Sequence, residues 1–238
     1  MLLYLLTVTI TMDGLYANLR LQVNENIYLK NPESSDLGQR IISGSIELIS
    51  EIGFERFTFR KLAAAISSTE ASIYRYFESK HKLLLYLTAW YWAWVQYRML
   101  FATANVESAE DRLKRALDVA LEVKEVDIQF PHIDEQKLYR LVVAESSKAY
   151  LNKQVDEIND QGVYTSYKDL VELISKIILE INPNYKYPHM LVSTVIEGSN
   201  HQHFFAQHLP RLTDVVCGES GITEYYQEMV LTLIKAEL

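Results

Sequence analysis

Two short stretches decide the fold of this chain: GFERFTFRKLA at residues 53–63 and SIYRYFESK at residues 72–80. Thr58 is placed to cap a short helix, and the hydroxyl-rich turn at 67–69 interrupts that helix before a second short one, 70–77. Two short helices joined by a three-residue turn have the size of a helix-turn-helix. In such a unit the second helix lies in the major groove of DNA.

The sequence on either side of these stretches is also helical in pattern. Ser35 or Asp36 is placed to cap a helix whose isoleucines recur at three- and four-residue spacing until Gly53, a typical C-terminal stop. A long apolar helix of about 25 residues is predicted from Lys80 to about Ala104. Helical periodicity continues to the C-terminus, and no segment shows the alternation of a strand. The predicted fold class is therefore all-α.

A length of 238 residues favours two domains. Residues 1–34 show no sustained period and are interpreted as an N-terminal arm. The helix-turn-helix domain is expected over 35–84, and a second helical domain over 85–238, with the long helix joining the two.

Composition narrows the class of protein. The net charge of −8 and the pI of about 5.3 argue against a generally basic nucleic-acid binder. Residues 36–82, however, carry seven Lys and Arg against six Asp and Glu, so any basic excess lies in the predicted helix-turn-helix. The single cysteine, Cys217, favours a reducing cytoplasm. The apolar run at 1–12 lacks a basic segment before it and is too short for a membrane helix, and Met12 is an alternative start.

Taken together, these residues resemble the N-terminal domain of the tetracycline-repressor (TetR) family. The family pattern has a glycine, a helix-capping threonine, an apolar–alanine pair, two aromatics one residue apart, a phenylalanine and a lysine three further on. The resemblance covers about residues 36–85, and the remainder is similar only in being helical and of suitable length. The matching positions are Gly53, Thr58, Leu62, Ala63, Tyr74, Tyr76, Phe77 and Lys80.

The resemblance implies DNA contacts at these positions. Thr58 is expected near a phosphate, the Tyr74 hydroxyl suits a phosphate, and Ser72 can face a base edge. Lys80 begins the long helix, where its ammonium and the helix N-terminus both favour phosphate. Tyr76 is equally well explained as a core aromatic. The expected DNA-contact set is Thr58, Arg60, Lys61, Thr69, Glu70, Ser72, Tyr74, Arg75, Tyr76 and Lys80.

Two positions depart from the family pattern or fit it poorly. Ser67 stands where the family usually has the glycine of the turn, so it either carries strain of about 1 kcal/mol at positive φ or the turn has shifted. Glu70 heads the recognition helix, where its carboxylate can accept from cytosine N4 or complete a capping box with Ser67 as N-cap. We expect the capping box.

Aromatic residues crowd the long helix. Trp90, Trp94 and Tyr97 share one face, and such a stripe usually packs in a core, although the family resemblance suggests a ligand cavity. Glu145 lies on the apolar stripe of a later helix, where it either anchors a ligand or forms an interhelical salt bridge. The expected ligand-binding set is Trp90, Trp94, Tyr97 and Glu145.

The last two helices, predicted at 188–209 and 223–238 with Thr223 as a cap, resemble the dimer-forming pair of the family. His201 and His203 lie on the first of them, two residues apart and thus on opposed sides, so they cannot chelate one ion together. The sequence predicts no metal site and no cofactor.

The leading interpretation is a DNA-binding transcriptional regulator that is not an enzyme. It would be a homodimeric repressor that binds a near-palindromic operator and releases it when a small molecule enters the C-terminal domain. One alternative is a helical metal-carboxylate enzyme, for which Glu78-Ser79-Lys80-His81 supplies only one of the two required Glu-x-x-His copies. Another is a helix-turn-helix relic that binds only protein partners.

Overall fold

The computed structural model describes residue 21 and residues 23–122, 130–215 and 221–236. All regular structure in these ranges is helical, and no strand occurs in them, so the all-α prediction is confirmed. The expectations for residues 1–12 and for Cys217 fall outside the described residues.

Three helices form the N-terminal unit: α1 (Asp36–Ile52), α2 (Phe59–Ala65) and α3 (Glu70–Tyr74). Ser35 caps α1 by accepting a hydrogen bond from the Gly38 N–H, and Gly53 ends it with φ at +75°, as expected. A positive φ costs a glycine little because it has no Cβ. The unit closes on an apolar interior that includes Phe57, Leu62 and Phe77.

The long helix α4 (Lys80–Thr103) leaves this unit and runs through the middle of the molecule. Every residue from 83 to 95 is buried, so α4 has no solvent-facing side over that span. A helix that is apolar all round needs neighbours on every side. The remaining helices supply them, and they are α5 (Ala109–Leu121), α6 (Glu135–Tyr150), α7 (Val155–Asp160), α8 (Thr165–Ile181), α9 (Pro188–His208) and α10 (Gly221–Ala236).

Helices α5, α6 and α8 pack against α4, while α9 and α10 lie outside α8 and α5. Gly198 permits the close approach of α9 and α10, because a Cβ there would lie 2.4 Å from the Tyr226 hydroxyl. The prediction that Thr223 caps the last helix is wrong: α10 already begins at Gly221, and Thr223 is buried within it. None of the described helices is both long and apolar enough to cross a membrane.

The described end of the N-terminal arm is docked against the body. A short 3₁₀ helix at Glu25–Ile27 buries Ile27, and Asn24 and Asn26 both donate side-chain hydrogen bonds to the Gln161 carbonyl, at 2.9 and 3.1 Å. The arm therefore contacts the α7–α8 connection far along the chain. The domain boundaries at 34 and 84 stay a prediction.

Candidate nucleic-acid interface

The turn between α2 and α3 depends on a serine in an unusual backbone conformation. Ser67 has φ at +51°, and the next N–H, of Ser68, donates to the Ala63 carbonyl at 2.8 Å. The Arg40 guanidinium donates to the Ile66 carbonyl at 2.9 Å, which holds the turn to α1. The first of the two expected outcomes for Ser67 is therefore confirmed: it occupies the strained conformation that glycine takes more easily.

The cap of α3 differs from the expected one. Thr69 is the N-cap, with extended backbone angles, and its hydroxyl accepts from the Ser72 N–H at 3.2 Å. Glu70 is the first residue of the helix and not the third. The predicted capping box with Ser67 is wrong, because Ser67 adopts the positive φ of the turn whereas an N-cap residue needs an extended backbone.

A row of polar side chains runs along α3 and its two cap residues. The Thr69 and Ser72 hydroxyls lie 2.8 Å apart, and the Arg75 guanidinium donates to the Ser72 hydroxyl at 3.2 Å. Thr69 and Arg75 are exposed, whereas Ser72 and Glu70 are half-buried. The hydrogen bonds fix the orientation of donors that would otherwise rotate freely.

Tyr74 is 48% exposed, and its ring packs edge-to-face on Phe59 with centroids 5.0 Å apart. This contact leaves the hydroxyl at the surface beside α2. On α2 itself, Thr58 caps the helix by accepting from the Lys61 N–H, and Arg60 is exposed. The Lys61 ammonium donates to the Arg56 carbonyl at 2.8 Å. The exposed ends of α2 and α3 thus form one polar surface.

Tyr76 and Lys80, which were expected to contact DNA, instead contact other parts of the protein. Tyr76 is only 3% exposed, and its hydroxyl lies 2.8 Å from that of Ser35, the cap of α1. It belongs to the core, as the alternative interpretation had it. The half-buried Lys80 ammonium donates to the Phe54 carbonyl at 3.0 Å and to the Phe57 carbonyl at 3.4 Å. It therefore holds the loop between α1 and α2 and does not point freely into solvent.

Within the described part of the chain, the four expected ligand-binding residues lie in three different surroundings. Trp90 and Trp94 are buried and stacked with centroids 6.4 Å apart, and Phe130 packs edge-to-face on Trp90. Tyr97 is half-buried and packs against Phe101, one helical turn further along α4. The interpretation of this stripe as core packing describes the two tryptophans best.

Glu145 pairs with Lys148 one turn along α6, and the same ammonium lies 3.0 Å from Glu55 Oε1 in the loop before α2. Glu145 thus forms a salt bridge, but within its own helix and not between helices as expected; the contact with another part of the fold is made by Lys148. The two ion pairs that Lys148 makes, with Glu145 and with Glu55, connect the C-terminal helices to the helix-turn-helix unit. Within the part of the chain that the structure describes, no three His, Cys, Asp or Glu side chains are grouped as a metal site would require.

Residues 41–87 match the family model of the bacterial regulatory proteins of the tetR family. A tetR-family regulatory protein from Rhodococcus RHA1 superposes with a TM-score of 0.57 at 14% identity, covering 84% of this chain and 97% of that one. The chain has the TetR fold. The resemblance read from the sequence is thus confirmed, and the match to this family supports a DNA-binding transcriptional regulator.

Two further structures share the fold. The superantigen PfiT gives a TM-score of 0.55 at 14% identity, covering 85% of this chain and 97% of that one. AibR in complex with isovaleryl coenzyme A and operator DNA gives 0.52 at 12%, covering 81% and 95%. No curated protein matches the sequence. At such identities the structures show the fold alone.

Within the TetR fold, sequence reasoning missed one group of interdomain contacts. The Lys82 ammonium donates to the Asn26 carbonyl at 3.1 Å and to Gln161 Oε1 at 3.2 Å, so α4, the arm and the α7–α8 connection meet at one point. The Glu33 carboxylate accepts from the Tyr86 hydroxyl at 3.3 Å and lies 3.1 Å from His132 Nε2. These partners are separated by 53 residues or more along the chain, and no local sequence pattern predicts pairs so far apart.

Proposed function

We propose that this protein is a ligand-responsive transcriptional repressor that binds a near-palindromic operator as a homodimer. The observation that carries the proposal is the ordered polar row Thr69–Ser72–Arg75 on α3, beside the exposed Arg60 of α2. Hydroxyl and guanidinium donors fixed in one orientation suit both base edges and phosphates. The proposed contact residues are Thr58, Arg60, Lys61, Thr69, Glu70, Ser72, Tyr74 and Arg75.

The contacts divide by position. Arg60 and Lys61, near the N-terminus of α2, and the Tyr74 hydroxyl are assigned to phosphates, which set affinity and register. Ser72 and Arg75 are assigned to base edges, for which Arg opposite guanine is the commonest partner. Tyr76 and Lys80 are assigned a positioning role, because one is buried and the other bonds to carbonyls of the α1–α2 loop.

Dimerisation is proposed through α9 and α10. Both helices leave large apolar side chains in water: Met190 is 66% exposed and Tyr225 is 60% exposed, with Phe204 and Leu233 near 40%. Exposed apolar residues on two adjacent helices suit a self-complementary interface about a two-fold axis. The dimer would place its two α3 helices about 34–36 Å apart, one turn of DNA.

A ligand can release DNA only by binding the DNA-free conformation more tightly. Helix α4 is proposed to transmit the ligand-induced movement to the helix-turn-helix, and is called the lever helix. It starts in the helix-turn-helix unit and is buried among the C-terminal helices. AibR, a protein of the same fold, has been crystallised with both isovaleryl coenzyme A and operator DNA. That complex supports the coexistence of the two kinds of site on one fold.

The test is selection of bound duplexes from a random DNA pool by the full chain, followed by fluorescence anisotropy. We expect two inverted half-sites with centres 10 to 10.5 base pairs apart. Arg75→Ala should weaken binding by about 10-fold or more and relax one base position. Lys186→Ala, an exposed lysine before α9, is the control and should bind as the wild type does. Failure to enrich any sequence, with a folded dimer in hand, would overturn the proposal.

A further inference from the structure

A cleft lies between the docked arm, α4 and the start of α8. It has a volume of about 800 Å³, within the range of small-molecule sites. The arm contributes Tyr28 and Glu33, α4 contributes Tyr86 and Gln96, and α8 contributes Asp169. None of its lining residues belongs to α9 or α10, so the proposed dimer interface leaves it open.

Among the described residues, the charged side chains that line this cleft are all carboxylates. Three carboxylates line it, from Glu25, Glu33 and Asp169, and no Lys, Arg or His is found among its described lining residues. Glu33 contacts the Tyr86 hydroxyl and His132, whereas Glu25 and Asp169 have no ion-pair partner within the described ranges. Carboxylates gathered in one cleft attract a cation.

The cleft also offers aromatic faces. Tyr28 and Tyr86 meet edge-to-face with ring centroids 6.0 Å apart, and both rings line it. A tyrosine ring attracts an ammonium group placed over its face, and more strongly where water is excluded. Amide and hydroxyl groups complete the wall, among them those of Asn24, Asn31, Thr165 and Ser166. These can receive the N–H donors of an amine or orient its polar groups.

A pocket that is nearly filled adjoins the cleft. It shares Ala89 and Val163 with the cleft and is walled by Trp92, Tyr150 and Tyr167. The Trp92 and Tyr167 rings stack with centroids 4.3 Å apart. An apolar or aromatic body attached to the cation would meet this wall at the inner end of the cleft.

We propose that the cleft binds an organic cation, with an ammonium group beside Glu33 and Asp169 and an aromatic or apolar body against the tyrosines. The inference rests on the proposed function, because it makes this cleft the effector site of the regulator. Its position suits that role. The same arm donates to Gln161 through Asn24 and is held by Lys82 of α4, so a ligand here contacts the arm, the lever helix and α8 together.

The experiment is isothermal titration calorimetry of the full chain with benzyltriethylammonium at low salt. The matched anionic probe is phenylacetate. We expect the cation to bind and phenylacetate not to. The double variant Glu33→Gln, Asp169→Asn should weaken cation binding about three- to tenfold, as loss of two partly screened charges implies. Ser166→Phe, which places a ring in the cleft, should also weaken it. Asp156→Asn, an exposed carboxylate on α7, is the control and should leave the affinity unchanged.

Equal binding of the cation and phenylacetate, or wild-type affinity in both cleft variants, would overturn the inference. Binding of the protein to its selected DNA is measured separately in the absence of any probe. Operator binding without cation binding would refute the cleft and leave the proposed function standing. Cation binding with the expected variant effects but no operator binding would refute the proposed function and leave the cleft standing.

Discussion

The Lys148 ammonium lies 3.0 Å from Glu55 Oε1, across the junction between α6 and the helix-turn-helix unit. Its other neighbour is Glu145, whose hydrogen bond, together with that of Glu55, raises the pKa of the lysine. A second ion pair, Lys137 with Glu47 at 2.6 Å, joins the other end of α6 to α1. Helix α6 therefore forms ion pairs with the N-terminal unit at two places.

We expect the Glu55–Lys148 pair to make a small but measurable contribution to the free energy of unfolding, because solvent screens an exposed ion pair. Side-chain exposure of 37% for Lys148 and 76% for Glu55 places the pair in that class. The measurement is a double-mutant cycle with Glu55→Gln and Lys148→Met in urea. A coupling energy indistinguishable from zero would show that the contact does not link the two units.

Replacement of Ser67 by glycine should stabilise the protein by about 0.5 kcal/mol. Relief of the strain at φ +51° outweighs the extra backbone entropy that glycine brings to the unfolded chain. Ser67→Val should destabilise it, because a branched side chain is disfavoured at positive φ. Urea denaturation measures both variants. The reverse order of stability would mean that the turn adopts another conformation in solution.

Lys80→Met should lower the free energy of unfolding by about 1–3 kcal/mol. It removes a charged donor from the Phe54 and Phe57 carbonyls, and hydrogen bonds to charged groups are worth about 1.5–3 kcal/mol each at most. A lysine that served only DNA would instead affect binding and leave stability unchanged. Thermal denaturation without DNA separates the two roles, and Lys186→Met, at an exposed lysine before α9, is the control.

Local signals in the sequence were sufficient for the helices. Thr58 and Gly53 stand at helix ends where the side chain or the backbone fits the cap, so α2 begins and α1 ends where the sequence predicts. The cap of α3 was misplaced because three consecutive hydroxyl residues, 67–69, satisfy the same pattern. Only the backbone angles distinguish the residue of the turn from the residue of the cap.

The surroundings of α4 and the cleft depend on contacts between distant parts of the chain, and no local sequence pattern predicted them. In sequence, Trp90 and Trp94 favour a core but also allow a ligand pocket, and the outcome depended on what surrounds α4. The cleft is formed by parts of the chain more than 100 residues apart, such as Glu33 and Asp169. Its existence depends on the arm docking onto Gln161, which no periodicity predicts.

Acid should destabilise the protein in part through His81. Burial, with a smaller effect of the Lys82 ammonium, lowers the pKa of its imidazole below the ordinary value. The unfolded chain then binds this proton more readily than the folded one, so stability falls as the pH is lowered from about 6.5 toward the depressed pKa. His81→Gln should reduce the loss of stability between pH 7.5 and 5.

Urea denaturation at the two pH values provides the measurement, and His201→Gln, an exposed histidine on α9, is the control. Equal acid sensitivity of His81→Gln and the wild type would refute a contribution from this imidazole.

The salt dependence of DNA binding tests the central claim most directly. Anisotropy titrations of the selected duplex at several salt concentrations give the slope of log affinity against log salt, about 0.9 per neutralised phosphate. We predict a steep slope for the wild type, a slope smaller by about one for Arg60→Ala, and the wild-type slope for Lys186→Ala. No measurable affinity at low salt, or a slope that Arg60→Ala leaves unchanged, would contradict the assignment of the α2–α3 surface to DNA.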